Sequence, residues 1–228
     1  MMNNLSIRQQ ALVNVCKKAN STCDVGCDHG YIGVTLLENK KTNFLIATDI
    51  SAPSAKKTEI LLQQKNQQQN ADVRVGDGLQ TIKTGEAPEQ IIIAGMGGKE
   101  IVHILSEYKN TQQTKHFVFQ PMNELVFFRK YLSDNNIKIK KDIVIFDKKF
   151  YHIITATPSK QTLSPFKTKW GVSSKFRDNN YYLWLNEKEK KIKKIISNLP
   201  KNSEKTKMFN SCLNDIKKIK ATKGAKKC

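Results

Sequence analysis

Short apolar segments alternate with helix-forming segments through much of the chain, and this alternation restricts its fold more than any other feature. The apolar segments lie at residues 22–25, 44–47, 73–75, 90–93 and 117–119. They have strand length and are bounded by Gly, Pro or Asp, which is typical of parallel strands buried on both faces. Helical segments lie between them at 31–39, 53–64, 99–107 and 123–132. Repeated strand–helix units predict a doubly wound α/β sheet.

Both ends of this repeated pattern carry further signals. An opening helix is predicted over residues 5–19, because Ser6 and Gln9 have capping-box spacing and Leu12, Val15 and Ala19 fall on one face. Two more strands are predicted at 139–146 and 151–157, joined by a tight turn at 147–149. Such a terminal hairpin leaves one strand antiparallel, so we expect a mostly parallel sheet of seven strands.

The positive charge of the chain is concentrated after residue 158. Residues 159–228 contain 19 basic and 5 acidic side chains, which gives them +14 of the total net charge of +19. Pro, Ser, Thr and Lys replace the apolar periodicity at 158–165, so we place a boundary there between a domain at 1–158 and a domain at 159–228. Near-heptad apolar spacing predicts helices at 178–199 and 203–220, packed as a coiled-coil-like α-helical hairpin.

Composition also indicates the kind of partner and the compartment. A net charge of +19 favours a polyanion, with nucleic acid first; compositional bias is the alternative, because 35 of the 39 basic residues are Lys. The first five residues lack the apolar core of a signal peptide and no later apolar run has membrane-spanning length, so we expect a cytoplasmic protein with no membrane partner. The five cysteines are odd in number and lack the C-x2-C spacing of zinc sites, so we expect reduced thiols and no metal.

The segment D-V-G-C-D-H-G-Y at 24–31 follows the first predicted strand and opens the next helix, which is where open α/β sheets bind ligands. Gly26 lets the backbone approach a ligand closely, and Gly30 permits tight packing where the helix begins. A dinucleotide-binding loop has glycine at the position of Asp28, where a carboxylate would repel a pyrophosphate. S-adenosylmethionine instead carries a sulfonium and an ammonium, which Asp24 and Asp28 would attract.

Acidic or glycine-rich segments also follow the next three strands. Asp49 follows the second, where its carboxylate could accept hydrogen bonds from both ribose hydroxyls of a nucleoside. G-D-G at 76–78 follows the third, where Asp77 could accept from the amine of adenine. A-G-M-G-G at 94–98 follows the fourth, where three glycines leave room for a planar base; a tight strand-to-helix turn is the alternative.

These motifs, together with Gln120-Pro121, resemble the bacterial tRNA (adenine-N1)-methyltransferases of the TrmK family, which modify adenosine 22. The resemblance covers nearly the whole chain and departs most in the C-terminal part. It implies a Rossmann-like class I methyltransferase fold, S-adenosylmethionine as cofactor and tRNA as partner, and we expect a monomer. The predicted cofactor-binding residues are Asp24, Gly26, Asp28, His29, Gly30, Tyr31, Asp49, Ile50, Gly76, Asp77, Gly78, Gly95 and Met96.

Methylation at N1 needs mainly in-line positioning, because the ring nitrogen already presents its lone pair. A nearby carboxylate could stabilise the cationic product or accept a proton from it; Asp28 is the first candidate and His29 the second. A pure cofactor-binding role for Asp28 and a backbone-bonded helix-start role for His29 remain open. Two other classes also remain open: a non-catalytic RNA-binding protein with a degenerate Rossmann core, and a small-molecule methyltransferase. An NAD-dependent reductase is least favoured, because of Asp28.

Overall fold

The computed structural model describes residues 5–224, with side chains described through residue 222. Contacts divide the chain after Phe176 into two compact units. Residues 1–4 lie outside the described residues, and most of the segment on which the signal-peptide prediction depends lies there. Cys228 also lies outside them. No helix among the described residues is both long and apolar enough to cross a membrane.

The first unit is built on a seven-stranded sheet with the order β3-β2-β1-β4-β5-β7-β6. Strands β1 to β5 are parallel to one another, whereas β7 is antiparallel to both β5 and β6. The prediction of one antiparallel strand, introduced by a terminal hairpin, is therefore confirmed. The strands are β1 (Ala19–Val25), β2 (Thr42–Asp49), β3 (Ala71–Val75), β4 (Gln90–Met96), β5 (His116–Pro121), β6 (Ile137–Asp147) and β7 (Lys149–Pro158).

Helices cover both faces of the sheet. On one face, α1 to α3 enclose clusters that include Leu12, Leu36 and Leu62, and on the other α4 and α5 pack Ile101 and Phe128 against the strands. Alternate residues of β4 enter different clusters, which explains why its sequence is continuously apolar. The helices of this unit are α1 (Ile7–Val15), α2 (Tyr31–Glu38), α3 (Ala52–Gln64), α4 (Gly98–Glu107), α5 (Leu125–Asp134) and α6 (Pro165–Trp170).

The opening helix begins as predicted but ends earlier. Ser6 caps α1, and the capping box with Gln9 is present in both directions. The predicted extension to residue 19 is wrong, because α1 ends at Val15 and Ala19 begins β1. The ammonium of Lys41 stops the helix by donating to the carbonyl oxygens of Val13 at 2.8 Å and of Cys16 at 3.0 Å. This cap comes from a distant part of the chain, so local periodicity could not reveal it.

The first compact unit extends beyond the domain boundary that composition suggested at residue 158. Arg129 on α5 lies fully buried between the carboxylate of Asp142, 2.9 Å away, and the carbonyl oxygens of Thr168 and Lys169 on α6, at 3.2 and 3.3 Å. A buried guanidinium needs such partners, so α6 is tied to the sheet. The Pro-rich stretch is thus a connection within the unit.

The second unit is a helical hairpin of α7 (Asn179–Ile196) and α8 (Glu204–Gly224), which contact each other. Asp178 caps α7 by accepting from the backbone N–H of Tyr181 at 3.0 Å. Glu189 on α7 accepts from Lys193 at 2.6 Å and also pairs with Lys220 on α8. The two predicted C-terminal helices are confirmed.

Candidate active site

A cavity of about 520 Å³ lies at the carboxyl edge of the sheet, where β1 and β4 end. Its wall contains seven of the residues predicted to bind the cofactor: Asp24, Gly26, Asp28, His29, Tyr31, Gly95 and Met96. The first and fourth glycine-rich segments, which are far apart in the sequence, therefore form one site. Its position agrees with the general rule for ligand binding in open α/β sheets.

The loop between β1 and α2 is fixed by hydrogen bonds to neighbouring elements. The backbone N–H groups of Gly26 and Cys27 donate to the carbonyl oxygen of Thr48 at 2.8 and 3.0 Å. Gly30 has φ +71°, and a Cβ there would lie 2.6 Å from Cγ2 of Thr58 on α3. Only glycine accepts both the left-handed backbone and this contact. Gly30 does not line the cavity but shapes the loop that does.

Asp49, at the end of β2, connects the second strand to this loop. One carboxylate oxygen accepts from the backbone N–H of Asp28 at 3.0 Å, and the other accepts from that of Ser51 at 2.9 Å. Charge-assisted hydrogen bonds of this kind are stronger than neutral ones. They hold Asp28 at φ +47°, an unusual conformation for a residue with a side chain. Ile50, which follows Asp49, is 75% exposed and does not line the cavity.

Asp24 places a buried carboxyl group in the cavity wall. Burial above all raises its pKa to about 7; a hydrogen bond from the backbone N–H of Gly33 opposes this shift, and the nearby charge of Asp49 adds to it. Losing water disfavours the ionised form of a carboxyl group. A cation bound in the cavity would restore the charged form, so Asp24 and Asp49 together favour a positively charged ligand over an anionic one.

Asp28 and His29 lie at the open side of the cavity. Oδ1 of Asp28 is 3.8 Å from Nε2 of His29 and 3.9 Å from the ammonium of Lys57. The His29 ring stacks on the ring of Tyr31, with centroids 5.3 Å apart. The structure therefore brings the two predicted catalytic side chains together, and it adds Lys57, which the sequence did not identify.

The third predicted segment lies beside the site but outside the cavity wall. Gly76 follows β3, and its N–H donates to the carbonyl oxygen of Asp49 at 2.9 Å. Asp77 is exposed and gives no side-chain cap to the short 3-10 turn that begins at Gly78. The ends of β1, β2 and β3 thus carry Asp24, Asp49 and Asp77 along one edge of the sheet, as predicted from the sequence.

The fourth segment is positioned differently from the prediction. The strand was expected to end at residue 93, but β4 continues through Gly95 to Met96. Its pairing with β5 shifts between Ala94 and Met96, and Gly95 has φ +82°. A bulge of this kind accommodates an extra residue and redirects the strand. Residues 94–96 therefore form a bulged strand end, and Gly97 alone separates it from α4, so the segment also contains the tight strand-to-helix turn that was the alternative.

Arg8 and Gln9 on α1 also line the cavity, although sequence reasoning missed them. Nη1 of Arg8 donates to Oε1 of Gln120, a fully buried side chain on β5, at 2.9 Å. Arg8 is one of only four arginines in a chain with 35 lysines. This rarity was the available signal, because arginine's planar donor fork is suited to specific recognition.

The chemistry of this site does not depend on a reactive thiol. Cys27 lines the cavity, but burial above all raises its pKa to about 12, with Asp24 adding to the effect, so it stays protonated. Cys16, Cys23, Cys27 and Cys212 are free thiols. Among the side chains that the structure describes, no group of three or more His, Cys, Asp and Glu residues is placed to hold a metal ion.

Comparisons with known proteins agree with this geometry. A methyltransferase domain family model matches residues 5–154. The tRNA (adenine(22)-N(1))-methyltransferase of Bacillus subtilis is 30% identical over 154 residues, which are 67% of this chain and 64% of that protein. The chain thus aligns with under two thirds of that relative's length.

Solved structures resemble the chain over more of its length. The structure of Streptococcus pneumoniae Sp1610, a putative tRNA (m1A22) methyltransferase in complex with S-adenosyl-L-methionine, has a TM-score of 0.86 at 22% identity and covers 94% of this chain and 99% of that one. M. capricolum TrmK in complex with S-adenosyl-homocysteine has a TM-score of 0.84 at 22% identity, with 94% and 96% covered. The chain therefore belongs to the methyltransferase domain family, as a homologue of the TrmK methyltransferases.

Proposed function

We propose that this chain transfers a methyl group from S-adenosylmethionine to N1 of adenosine 22 in tRNA. One observation carries the proposal: carboxylates at the ends of β1 and β2 flank a cavity whose loop has Asp28 where a dinucleotide-binding loop has glycine. Such a site selects a cationic cofactor. Similarity to the Bacillus subtilis enzyme supplies the substrate and its position.

The residues present fit S-adenosylmethionine, which supplies an electrophilic methyl group when bound. Gly26 has φ +71°, which disfavours a side chain, and an added Cβ would lie 2.3 Å from Cε of Met96, so that Met96 would have to move. Asp49 retains acceptor capacity for ribose hydroxyls beside its two backbone donors. Asp24 would balance the positive charge of the cofactor. Asp77, which lies beyond Asp49 along the same edge, would accept a hydrogen bond from the adenine amine.

The remaining residues of the site act on the target base. Adenine N1 is nucleophilic without prior deprotonation, so the chain has to orient the base and manage the positive charge that methylation creates. The carboxylate of Asp28, whose side chain is 64% exposed at the open side, is available for that charge and for the departing amino proton. His29 and Lys57 are its neighbours, at 3.8 and 3.9 Å. Met96 and Tyr31 would support an extruded base.

The second unit supplies charge for a nucleic acid. Lys190, Lys191, Lys193 and Lys194 are exposed on α7. Phosphate contacts by lysines give affinity that weakens with salt, and a folded RNA is recognised mainly by shape. We therefore propose tRNA as the macromolecular partner. We also propose that the enzyme is a monomer located in the cytoplasm.

The proposal is tested by incubating the protein with an unmodified tRNA transcript and methyl-labelled cofactor, and then digesting the RNA to nucleosides. We expect label in 1-methyladenosine. Label in another nucleoside would overturn the assignment to N1 of adenine. No label, with S-adenosylmethionine uptake shown by calorimetry, would overturn tRNA as the substrate.

A further inference from the structure

The tip of the β6–β7 hairpin, residues 146–151, is an element of the first unit that the proposed function does not use. Because β6 runs parallel to β1 to β5, its last residue, Asp147, lies at the same edge of the sheet as the cavity. Asp147 pairs with Lys149 across the turn, and Lys148 forms the apex with φ +62°. The tip therefore projects at the carboxyl edge.

Arg8 fixes this tip beside the cavity. Its backbone N–H donates to Oδ2 of Asp147 at 3.1 Å, and its guanidinium lies 5.6 Å from the ring centroid of Tyr151 on β7. The same Arg8 lines the cavity. Arg8 therefore contacts both the cavity and the hairpin tip.

The tip exposes part of an aromatic pair. Phe146 and Phe150 face each other across the two strands, with ring centroids 5.0 Å apart. This cross-strand pair stabilises the turn. Even so, Phe146 remains 49% exposed, so one face of its ring is open to a partner. Aromatic rings exposed in this way offer faces on which bases stack.

Two lysines lie between these rings in the sequence, beside Asp147. Lys148 and Lys149 are exposed, and the Lys149 ammonium lies 5.2 Å from the Tyr151 ring centroid. Among the residues that the structure describes, neither lysine forms an ion pair with a carboxylate, and nor does the guanidinium of Arg8. Aromatic rings interleaved with unneutralised cations are typical of surfaces that bind unstacked nucleotides.

We propose that the hairpin tip binds the RNA strand next to the methylated adenosine, with Phe146 and Phe150 stacking on bases and with Lys148 and Lys149 contacting phosphates. The inference rests on the proposed function and adds a substrate-binding surface on the first unit. Extruding a base from a folded RNA leaves its neighbours without a stacking partner. A stacking platform beside the cavity would compensate for that loss.

The test compares two double variants with wild type. In F146A/F150A the stacking surface is removed, and in K148E/K149E the charge is reversed. We expect each to weaken tRNA binding, measured by fluorescence anisotropy, at least about fivefold, the lower end of what one stacked base contributes. The KM for tRNA should rise by a similar factor, while S-adenosylmethionine affinity by calorimetry should be unchanged.

Matched controls lie elsewhere on the first unit. Phe44, 38% exposed in the amino-terminal half of β2, is replaced in F44A, and the consecutive exposed lysines Lys17 and Lys18 are reversed in K17E/K18E. Both controls should bind tRNA within about twofold of wild type, because they leave the tip intact. F146W/F150W should retain affinity, since tryptophan also stacks, and this variant separates loss of stacking from local unfolding.

Three outcomes would overturn the inference while leaving the proposed function intact. The first is a wild-type enzyme that forms 1-methyladenosine and whose tip variants bind tRNA normally. The second is an equal loss of affinity in tip and control variants. The third is tip-dependent binding to anionic phospholipid vesicles without any effect on tRNA. Tip-dependent tRNA binding without formation of 1-methyladenosine would support the inference and contradict the proposed function instead.

Discussion

Replacing Asp24 with Asn should raise the stability of the cofactor-free protein at about pH 8. Burial raises the pKa of this carboxyl from an ordinary 3.8 to about 7. Because the folded pKa lies above the unfolded value, the group's contribution to stability is present at low pH and is lost as the pH rises through about 7. A neutral side chain of the same shape avoids this loss. The full shift sets a limit of roughly 4 kcal/mol, and we expect a gain of about 2 kcal/mol.

The same substitution should weaken cofactor binding. A carboxylate about 4 Å from a cation contributes up to about 4 kcal/mol at an effective dielectric constant of about 20, so a loss of at least about tenfold in affinity is expected. In the wild type the ionised fraction of Asp24 falls about eightfold between about pH 7.5 and about pH 6, and affinity should fall with it. The variant should lack this pH dependence.

Urea unfolding of wild type and variant at about pH 8 and about pH 4.5 measures the change in stability. Calorimetry with S-adenosylmethionine at about pH 7.5 and about pH 6 measures the change in affinity. The gain in stability should shrink at the lower pH, where the wild-type carboxyl is protonated as well. A variant that is less stable than wild type at the higher pH, or that binds the cofactor equally well, would refute the assigned role of this carboxylate.

Three further substitutions test other parts of the site and its support. Asp49→Ala removes the acceptor of two backbone N–H groups and of the ribose, so S-adenosylmethionine affinity should fall by about 2 kcal/mol in calorimetry; unchanged affinity would contradict this role. Gly30→Ala places a Cβ on a left-handed backbone and 2.6 Å from Thr58, whereas the control Gly85→Ala places one on a left-handed backbone in open space. Gly30→Ala should therefore lower the melting temperature more than Gly85→Ala, and equal melting temperatures would contradict the role of the Thr58 contact. Arg129→Ala leaves the carboxylate of Asp142 buried without its guanidinium, so the free energy of unfolding in urea should fall by about 3–5 kcal/mol. An unchanged free energy of unfolding would contradict a stabilising role for this ion pair.

The ends of the strands could be predicted because their signals are local. Each of Asp24, Asp49 and Asp77 lies near the end of a short apolar segment, and parallel strands bring such ends to one edge. The resemblance to a family rested on the same motifs. The seven-stranded sheet with its antiparallel terminal hairpin followed from the period of the apolar pattern.

Features that depend on long-range contacts could not be predicted in this way. The Lys41 cap that ends α1, the bulge at Gly95 and the buried Arg129 that ties α6 to the sheet all join residues far apart in the sequence. Arginine's rarity was a signal for Arg8, but nothing near it in the sequence indicates that α1 reaches Gln120. The motifs at 24–31 and 94–98 predicted much of the cavity wall, whereas Arg8 and Gln9 line it from α1.

Mapping the position of the methyl group tests the account most directly. A wild-type tRNA transcript and one carrying guanosine at position 22 are each treated with the protein and S-adenosylmethionine, and reverse transcription is then used to detect modification of the Watson–Crick edge. The account predicts a block at adenosine 22 in the first transcript and none in the second. A block at any other nucleotide, or equal blocks in both transcripts, would contradict it.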